Sequence, residues 1–239
     1  MQTKMQVWTA IKAKDKLRPQ SQALAKVGEG EVALKVIFCG VCHSDLHLIN
    51  NDWGFSSYPM VPGHEIIGKV VQLGQKVKHL KVGDIVGVGW QASSCAVCPD
   101  CSSARDNLCE QSSATCVGHS GGFATDHITS ARYCFVLSKN LRVAGAAPLL
   151  CGGITVYSPL RRFAKSASHV GIVGIGGLGH LAVKMAVKMG HEVTVFSSSE
   201  SKRKEAISMG AHHFVSSTKA EQIEKLGRQL DLVLVTANV

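Results

Sequence analysis

No stretch of this sequence approaches the ~18 consecutive apolar residues that cross a bilayer as a helix. The opening MQTKMQVWTAIKAKDK alternates apolar with polar side chains instead of building the apolar core of a secretion signal. The expectation is a cytoplasmic chain without a membrane partner. Aromatic residues are also scarce, at 5% of 239, which leaves few planar side chains for stacking on bases. Carboxylates are outnumbered, 17 Asp and Glu against 26 Lys and Arg, for a formal charge of +9. Yet the basic residues are scattered, and only Lys202-Arg203-Lys204 forms a run, so no nucleic-acid partner is expected. An anionic cofactor would use the same positive charge.

What the chain does have is hydrophobic content of 45%, enough to bury a core, and nine cysteines. Without a secretion signal those cysteines point to a reducing compartment, where clustered thiols are more often metal ligands than disulfides. The hydrophobic pattern changes once along the chain. Up to about Ala147, short β-branched runs such as EVALKVIF, IIGKVVQL and DIVGVGW are bounded by turn residues. After Pro148, SHVGIVGIGGLGHLAVKMAVKMGHEVTVFSSS reads as strand, glycine turn, helix and strand. KRKEAISMGAHHFVSS and DLVLVTANV continue the alternation. This predicts an α/β protein overall: a β-rich domain over residues 1–150, then part of a parallel-sheet, Rossmann-type domain over 151–239. The chain stops directly after an apolar strand at Val239, before the strands that a full doubly wound sheet needs, so it is expected to be truncated.

CAVCPDCSSARDNLC places Cys95, Cys98, Cys101 and Cys109 in a C-x2-C-x2-C-x7-C pattern. Four thiolates close a tetrahedral shell around zinc and leave no position for substrate, so this cluster is expected to be structural. An iron–sulfur cluster also takes four cysteines, but the bacterial ferredoxin run ends in a tighter spacing with a proline after its last cysteine. A zinc ribbon on nucleic acid would want a basic surround, whereas Asp100, Asp106 and Glu110 flank these cysteines. A second cysteine pair, in CGVCHSDLH (residues 39 to 47), reads on its own as half a zinc knuckle or as a redox couple.

Gly174, Ile175, Gly176, Gly177, Leu178 and Gly179 form G-x-G-x-x-G between a predicted strand and helix, the setting in which glycines admit a pyrophosphate to a helix N-terminus. No carboxylate ends the next strand, where NAD-binding sites hold the ribose 2′-hydroxyl. Ser197, Ser198 and Ser199 stand there, followed by Lys202 and Arg203. Hydroxyls and cations suit a 2′-phosphate, which predicts NADP(H). A polar helix cap followed by a solvated basic turn is the plainer reading.

CGVCHSDLH, GHE-x2-G-x5-G-x2-V from Gly63 through Val77, the four-cysteine segment, PLLCGGITVYSPL and GIVGIGGLGH come in an order and spacing that resembles the zinc-dependent medium-chain alcohol dehydrogenases. The likeness is to the NADP-dependent, cinnamyl-alcohol-dehydrogenase-like branch. The resemblance implies a GroES-like catalytic domain, two zinc ions per chain and a small alcohol or aldehyde as substrate. It assigns Cys42, His64 and Cys151 to a catalytic zinc, with Glu65 behind it and Asp45 orienting His64. Ser44 and His47 are implied as a proton relay, His43 as a contact to the cofactor pyrophosphate and Thr155 as packing at the nicotinamide. Cys39 then becomes a filler at a strand end, while Cys42, His43, Ser44, Asp45 and His47 share one turn of chain. The resemblance also implies missing chain beyond Val239, including the dimer edge of a family that is usually homodimeric. On that ground the expected activity of the 239 residues is low, and a non-catalytic fragment that keeps zinc and nucleotide is the alternative to the enzyme.

Overall fold

The alternation at the N-terminus becomes strand β1 (Lys4–Thr9), which buries Met5, Val7 and Thr9 and exposes the residues between them. It pairs antiparallel with β2 (Arg18–Ala23). The computed structural model describes residues 4–141, 143–227 and 229–237, and the chain divides into two compact units, Met1–Cys151 and Gly152–Val239.

The first unit is built on a five-stranded antiparallel sheet. Its strands are β3 (Glu31–Cys39), β4 (Ile66–Leu73), β5 (Ile85–Val88), β8 (Asp126–Ser130) and β9 (Phe135–Val136), in the order β8-β3-β4-β5-β9. Val32, Leu34, Ile66, Val70, Val86 and Val88 fill its core. Between β3 and β4 runs helix α1 (His43–Asn50), and a small ribbon, β6 (Gln91–Ser93) with β7 (Ser113–Ala114), carries the short helix α2 (Pro99–Ser102) between its strands. The unit ends in α3 (Val143–Ala146) and a 3₁₀ turn, Ala147–Leu150, whose Ala146, Ala147 and Leu150 pack with Ile67 and Ile85.

In the second unit β10 (His169–Val173), β11 (Glu192–Ser197), β12 (His213–Ser216) and β13 (Leu232–Val235) form a parallel sheet in the order β12-β11-β10-β13. Helices α4 (Gly152–Phe163), α5 (Gly177–Lys188), α6 (Arg203–Ser208) and α7 (Ala220–Leu226) alternate with them. Val170, Ile172, Val193 and Val195 meet Ala182, Val183 and Ala186 of α5 in one core. The fold class is therefore as expected, a β-rich unit followed by a parallel-sheet α/β unit. No single helix among the described residues is long and apolar enough to cross a membrane.

Two helices were not legible beforehand. CGVCHSDLH is not one turn, because its residues from His43 on form the eight-residue α1. α4 opens on two glycines and holds Pro159 inside it, both costly by intrinsic propensity. Burial of Val156 and Leu160 in the core outweighs that cost.

His127, on β8, is 2% exposed, and neither ring nitrogen has a hydrogen-bond partner. Burial, and then the charge of nearby His119, hold its pKa down from 6.5 to about 3. The unfolded chain therefore takes up a proton between those values that the native state refuses. This contribution to stability is complete above the unfolded pKa and is lost as pH falls towards the folded one. Between pH 7 and pH 5 we expect unfolding free energy to fall by about 2 kcal/mol more in this protein than in His127→Phe, measured by urea unfolding. Equal falls in the two proteins would show that His127 plays no part.

Candidate metal centres and cofactor turn

Asp45 organises the first centre. Its side chain is 1% exposed, and three N–H groups converge on it: Cys42 N donates to Oδ2 at 3.0 Å, Gly63 N to Oδ1 at 3.0 Å, and His64 Nδ1 lies 2.9 Å from Oδ1. One carboxylate thus ties the N-terminus of α1 to the segment before β4. Because Nδ1–H is committed to Asp45, Nε2 is the His64 nitrogen left for a ligand. That atom is buried without a partner, which invites a ligand. Burial alone would depress the His64 pKa, but Asp45 and the neighbouring Cys42 thiolate outweigh it and raise the value to about 9, so an ion that binds at Nε2 displaces a proton there.

The sulfur atoms of Cys42 and Cys151 lie 3.9 Å apart, and together with His64 and Glu65 they bring their donor atoms within 4.8 Å of one another. Two sulfurs bound to one zinc stand about 3.8 Å apart in a tetrahedral shell, so the set fits that ion. Cys42 is held as a thiolate, its pKa lowered to about 3 chiefly by Cys151, then by His64, with Ser44 adding backbone and hydroxyl hydrogen bonds. Cys151 is correspondingly raised. Glu65 is pushed up to about 7, by burial first and then by the Cys42 charge. Cys39 is outside the set: it ends β3, donates to the Gly40 carbonyl, and burial raises its pKa to about 12.

Cys151 is placed by contact rather than by a local motif. The 3₁₀ turn before it lies against the end of β5, where a Cβ on Gly87 would stand 2.7 Å from Leu150 Cδ2 and one on Gly89 would stand 2.6 Å from the Leu150 carbonyl oxygen. We therefore expect Gly89→Ala to push back Leu150 and Cys151 and to lower zinc content at this centre, measured as zinc per chain, while the four-cysteine centre stays filled.

On α1, His43, Ser44 and His47 succeed one another along the helix. The His43 and His47 rings are 4.8 Å apart, and His47 Nδ1 lies 2.7 Å from Asp52 Oδ2. Asp52 carried no motif. It returns to His47 because Asn51 takes a left-handed conformation, φ 60°, at the end of the helix. Trp90 stands edge-on to His64 at 5.1 Å, next to Trp53 at 6.2 Å, which in turn stacks on Phe55 at 5.7 Å. Aromatic residues are few in this chain, and here three of them share a wall.

In the second centre Cys95, Cys98, Cys101 and Cys109 bring their sulfurs within 4.8 Å of one another. Cys95 and Cys101 are 3.9 Å apart, the same tetrahedral edge. The amides of Val97 and Cys98 hold the Cys95 thiol down to about 6. Asp106 pins the segment: its Oδ1 accepts from Ser94 Oγ, Arg132 Nε and the Tyr133 hydroxyl, while its carbonyl accepts from Gln91. By sequence Asp106 served only to argue against nucleic acid. Its anchoring role depends on Arg132 and Tyr133, distant in the chain.

In the second unit the glycine turn joins β10 to α5. Gly174 has φ 88°, and a Cβ on it would press on Ala237 at 3.0 Å. A Cβ on Gly176 or Gly177 would meet nothing within 4 Å, so the space over the helix N-terminus is free for a phosphate. Ile175 is buried, Leu178 packs against the core, and Gly179 closes onto the Gly174 carbonyl. Ser197 ends β11, and its Oγ accepts from the Ser199 amide; Ser198 is exposed, and Ser199 Oγ pairs with Ser201. Lys202 reaches back to the Ile175 carbonyl at 3.5 Å. Arg203, grouped with Lys202 by sequence, is instead bonded to Glu200 and to the Phe214 carbonyl and stacked on the Phe214 ring. Thr155 lies exposed on α4.

Residues 28–139 match the family described as alcohol dehydrogenase GroES-like domain, and residues 177–239 the one described as zinc-binding dehydrogenase. An aldehyde reductase of Synechocystis is 44% identical over 237 residues, covering 98% of this chain and 70% of the relative. Among solved structures, a cinnamyl alcohol dehydrogenase of Sorghum bicolor superposes with a TM-score of 0.91 at 40% identity, over 98% of this chain and 70% of that one. A CAD of Helicobacter pylori, solved with NADP(H), has a TM-score of 0.88 at 35% identity, over 99% and 70%. A chain that shares this much with such relatives across both matched domains belongs to the zinc-dependent medium-chain alcohol dehydrogenases, in the branch that holds the cinnamyl alcohol dehydrogenases.

Proposed function

We propose that this protein interconverts primary alcohols and aldehydes with NADP(H), and that aromatic aldehydes are among its substrates. The observation that carries the reading is the buried, unpartnered Nε2 of His64 beside the Cys42 and Cys151 sulfurs, since two sulfurs and one nitrogen leave a tetrahedral ion a fourth position. Cys42, His64 and Cys151 would hold a zinc ion, which would supply a Lewis acid for the substrate oxygen, and the glycine turn would hold NADP(H), which would supply or take up the hydride. Asp45 keeps His64 in the ligating tautomer, and Glu65 is the acid behind the set. Ser44 takes the alcohol proton, and His47, one helical turn on and oriented by Asp52, passes it towards solvent. Trp53, Phe55 and Trp90 offer flat apolar faces next to His64, which suits an aromatic ring. Thr155, the glycine turn, Ser197, Ser198, Ser199 and Lys202 are the cofactor contacts that the second unit offers, with Lys202 the cation for the 2′-phosphate.

The likeness to aldehyde reductases and alcohol dehydrogenases favours this enzyme over a fragment that only retains zinc. The test is reduction of an aromatic aldehyde by the purified, zinc-loaded protein. We expect a higher kcat/KM with NADPH than with NADH, and Ser197→Asp should move that ratio towards NADH by about ten- to hundredfold. A preference for NADH in the unchanged protein would overturn the cofactor assignment, and absence of zinc-dependent turnover would overturn the reaction.

A further inference from the structure

The glycine turn is held from one side by the end of β13. Val235 pairs with Val173 of β10, so the next residue, Thr236, meets the chain where β10 becomes the turn. Its amide donates to the Val173 carbonyl at 2.8 Å. Its hydroxyl lies 3.0 Å from that oxygen and 3.1 Å from the Gly174 carbonyl oxygen, one O–H shared between two acceptors. Among the described residues no other group donates to the Gly174 carbonyl. The Gly174 amide is fixed as well, donating to the Phe196 carbonyl of β11 at 2.8 Å. A Cβ on Gly179 would stand 2.9 Å from the Thr236 hydroxyl oxygen, so the first turn of α5 packs directly on this contact.

The Gly174–Ile175 peptide needs such a hold. Gly174 has φ 88°, and a residue without Cβ changes its ψ at little cost, so nothing local stops this peptide from turning over. In a trans peptide the C=O and N–H point in opposite directions. With the Gly174 carbonyl drawn to Thr236, the Ile175 N–H is turned to the other side. A reversed peptide would put a carbonyl oxygen there instead. Backbone N–H groups attract an anion, and a carbonyl oxygen repels it. We propose that Thr236 is the positioning residue of the cofactor turn: its hydroxyl keeps the Gly174–Ile175 peptide in the orientation that receives the pyrophosphate. The proposal rests on the NADP(H) reading above and adds to it a residue that no motif marks.

The experiment measures the binding of NADPH and of 2′-AMP to the zinc-loaded full chain by calorimetry. 2′-AMP carries the phosphate assigned to the serines and Lys202 but has no pyrophosphate, so it reports on the fold without engaging the turn. Thr236→Val keeps the shape of the side chain and removes the hydroxyl. We expect it to weaken NADPH binding about tenfold and to leave 2′-AMP within about twofold. Thr236→Ser, which restores the O–H, should recover most of the NADPH affinity. Unchanged NADPH affinity in Thr236→Val, equal weakening of both ligands, or no recovery in Thr236→Ser would overturn the proposal while the cofactor reading stands. If the unchanged protein binds neither ligand, the cofactor reading fails and the proposal falls with it.

Discussion

Asp45→Ala is expected to lower the unfolding free energy by roughly 3–5 kcal/mol, the range for a buried charged group whose partners are left unpaired. The carboxylate serves three donors at once, and alanine would leave the Cys42 amide, the Gly63 amide and His64 Nδ1–H all unsatisfied. The second effect falls on the metal: without its anchor His64 is free to choose its other tautomer, and zinc affinity at the Cys42 centre should drop about 10- to 100-fold. Urea unfolding with and without excess zinc separates the two effects, because zinc recovers only the part that comes from binding. Asp45→Asn should lie between, since the amide keeps one acceptor oxygen and turns an N–H towards a donor. A loss below about 1 kcal/mol in Asp45→Ala would mean that the three contacts carry no weight.

Cys42→Ala and Cys39→Ala should differ although they lie three residues apart in one C-x-x-C. The first removes a thiolate ligand, and zinc is expected to fall from two ions per chain to one, with turnover lost. The second removes a half-buried thiol that points at Gly40, so both zinc ions should remain, at a stability cost of about 1 kcal/mol for the small void. Elemental analysis of the purified proteins checks both outcomes. Equal zinc loss in the two variants would return the pair to the reading of a knuckle.

Strands with a regular period were readable before any coordinates. IIGKVVQL is β4, residue for residue, because a β-branched run bounded by turn residues specifies a strand locally. The four-cysteine centre was readable for a different reason: short spacings keep its ligands near one another whatever the rest of the chain does. α4 was hidden, since its glycines and Pro159 argue against a helix and only contacts with the core overrule them. Asp52, Asp106, Gly87 and Gly89 were hidden as well. Each acts on a residue that no spacing rule connects to it.

By itself the sequence determined the local chemistry: which segments form strands, where four thiolates gather, and where glycines open a helix N-terminus. The likeness of its motifs to a family then named the ligands. Only the tertiary structure decided how Cys42, His64 and Cys151, scattered over more than a hundred residues, converge on one point, and why Cys39 does not join them. It also separated Lys202, which turns to the glycine loop, from Arg203, which turns to Phe214. The physical reason is range. Hydrogen-bond patterns and hydrophobic periods act between near neighbours in the chain, whereas a buried carboxylate such as Asp45 recruits its donors through space.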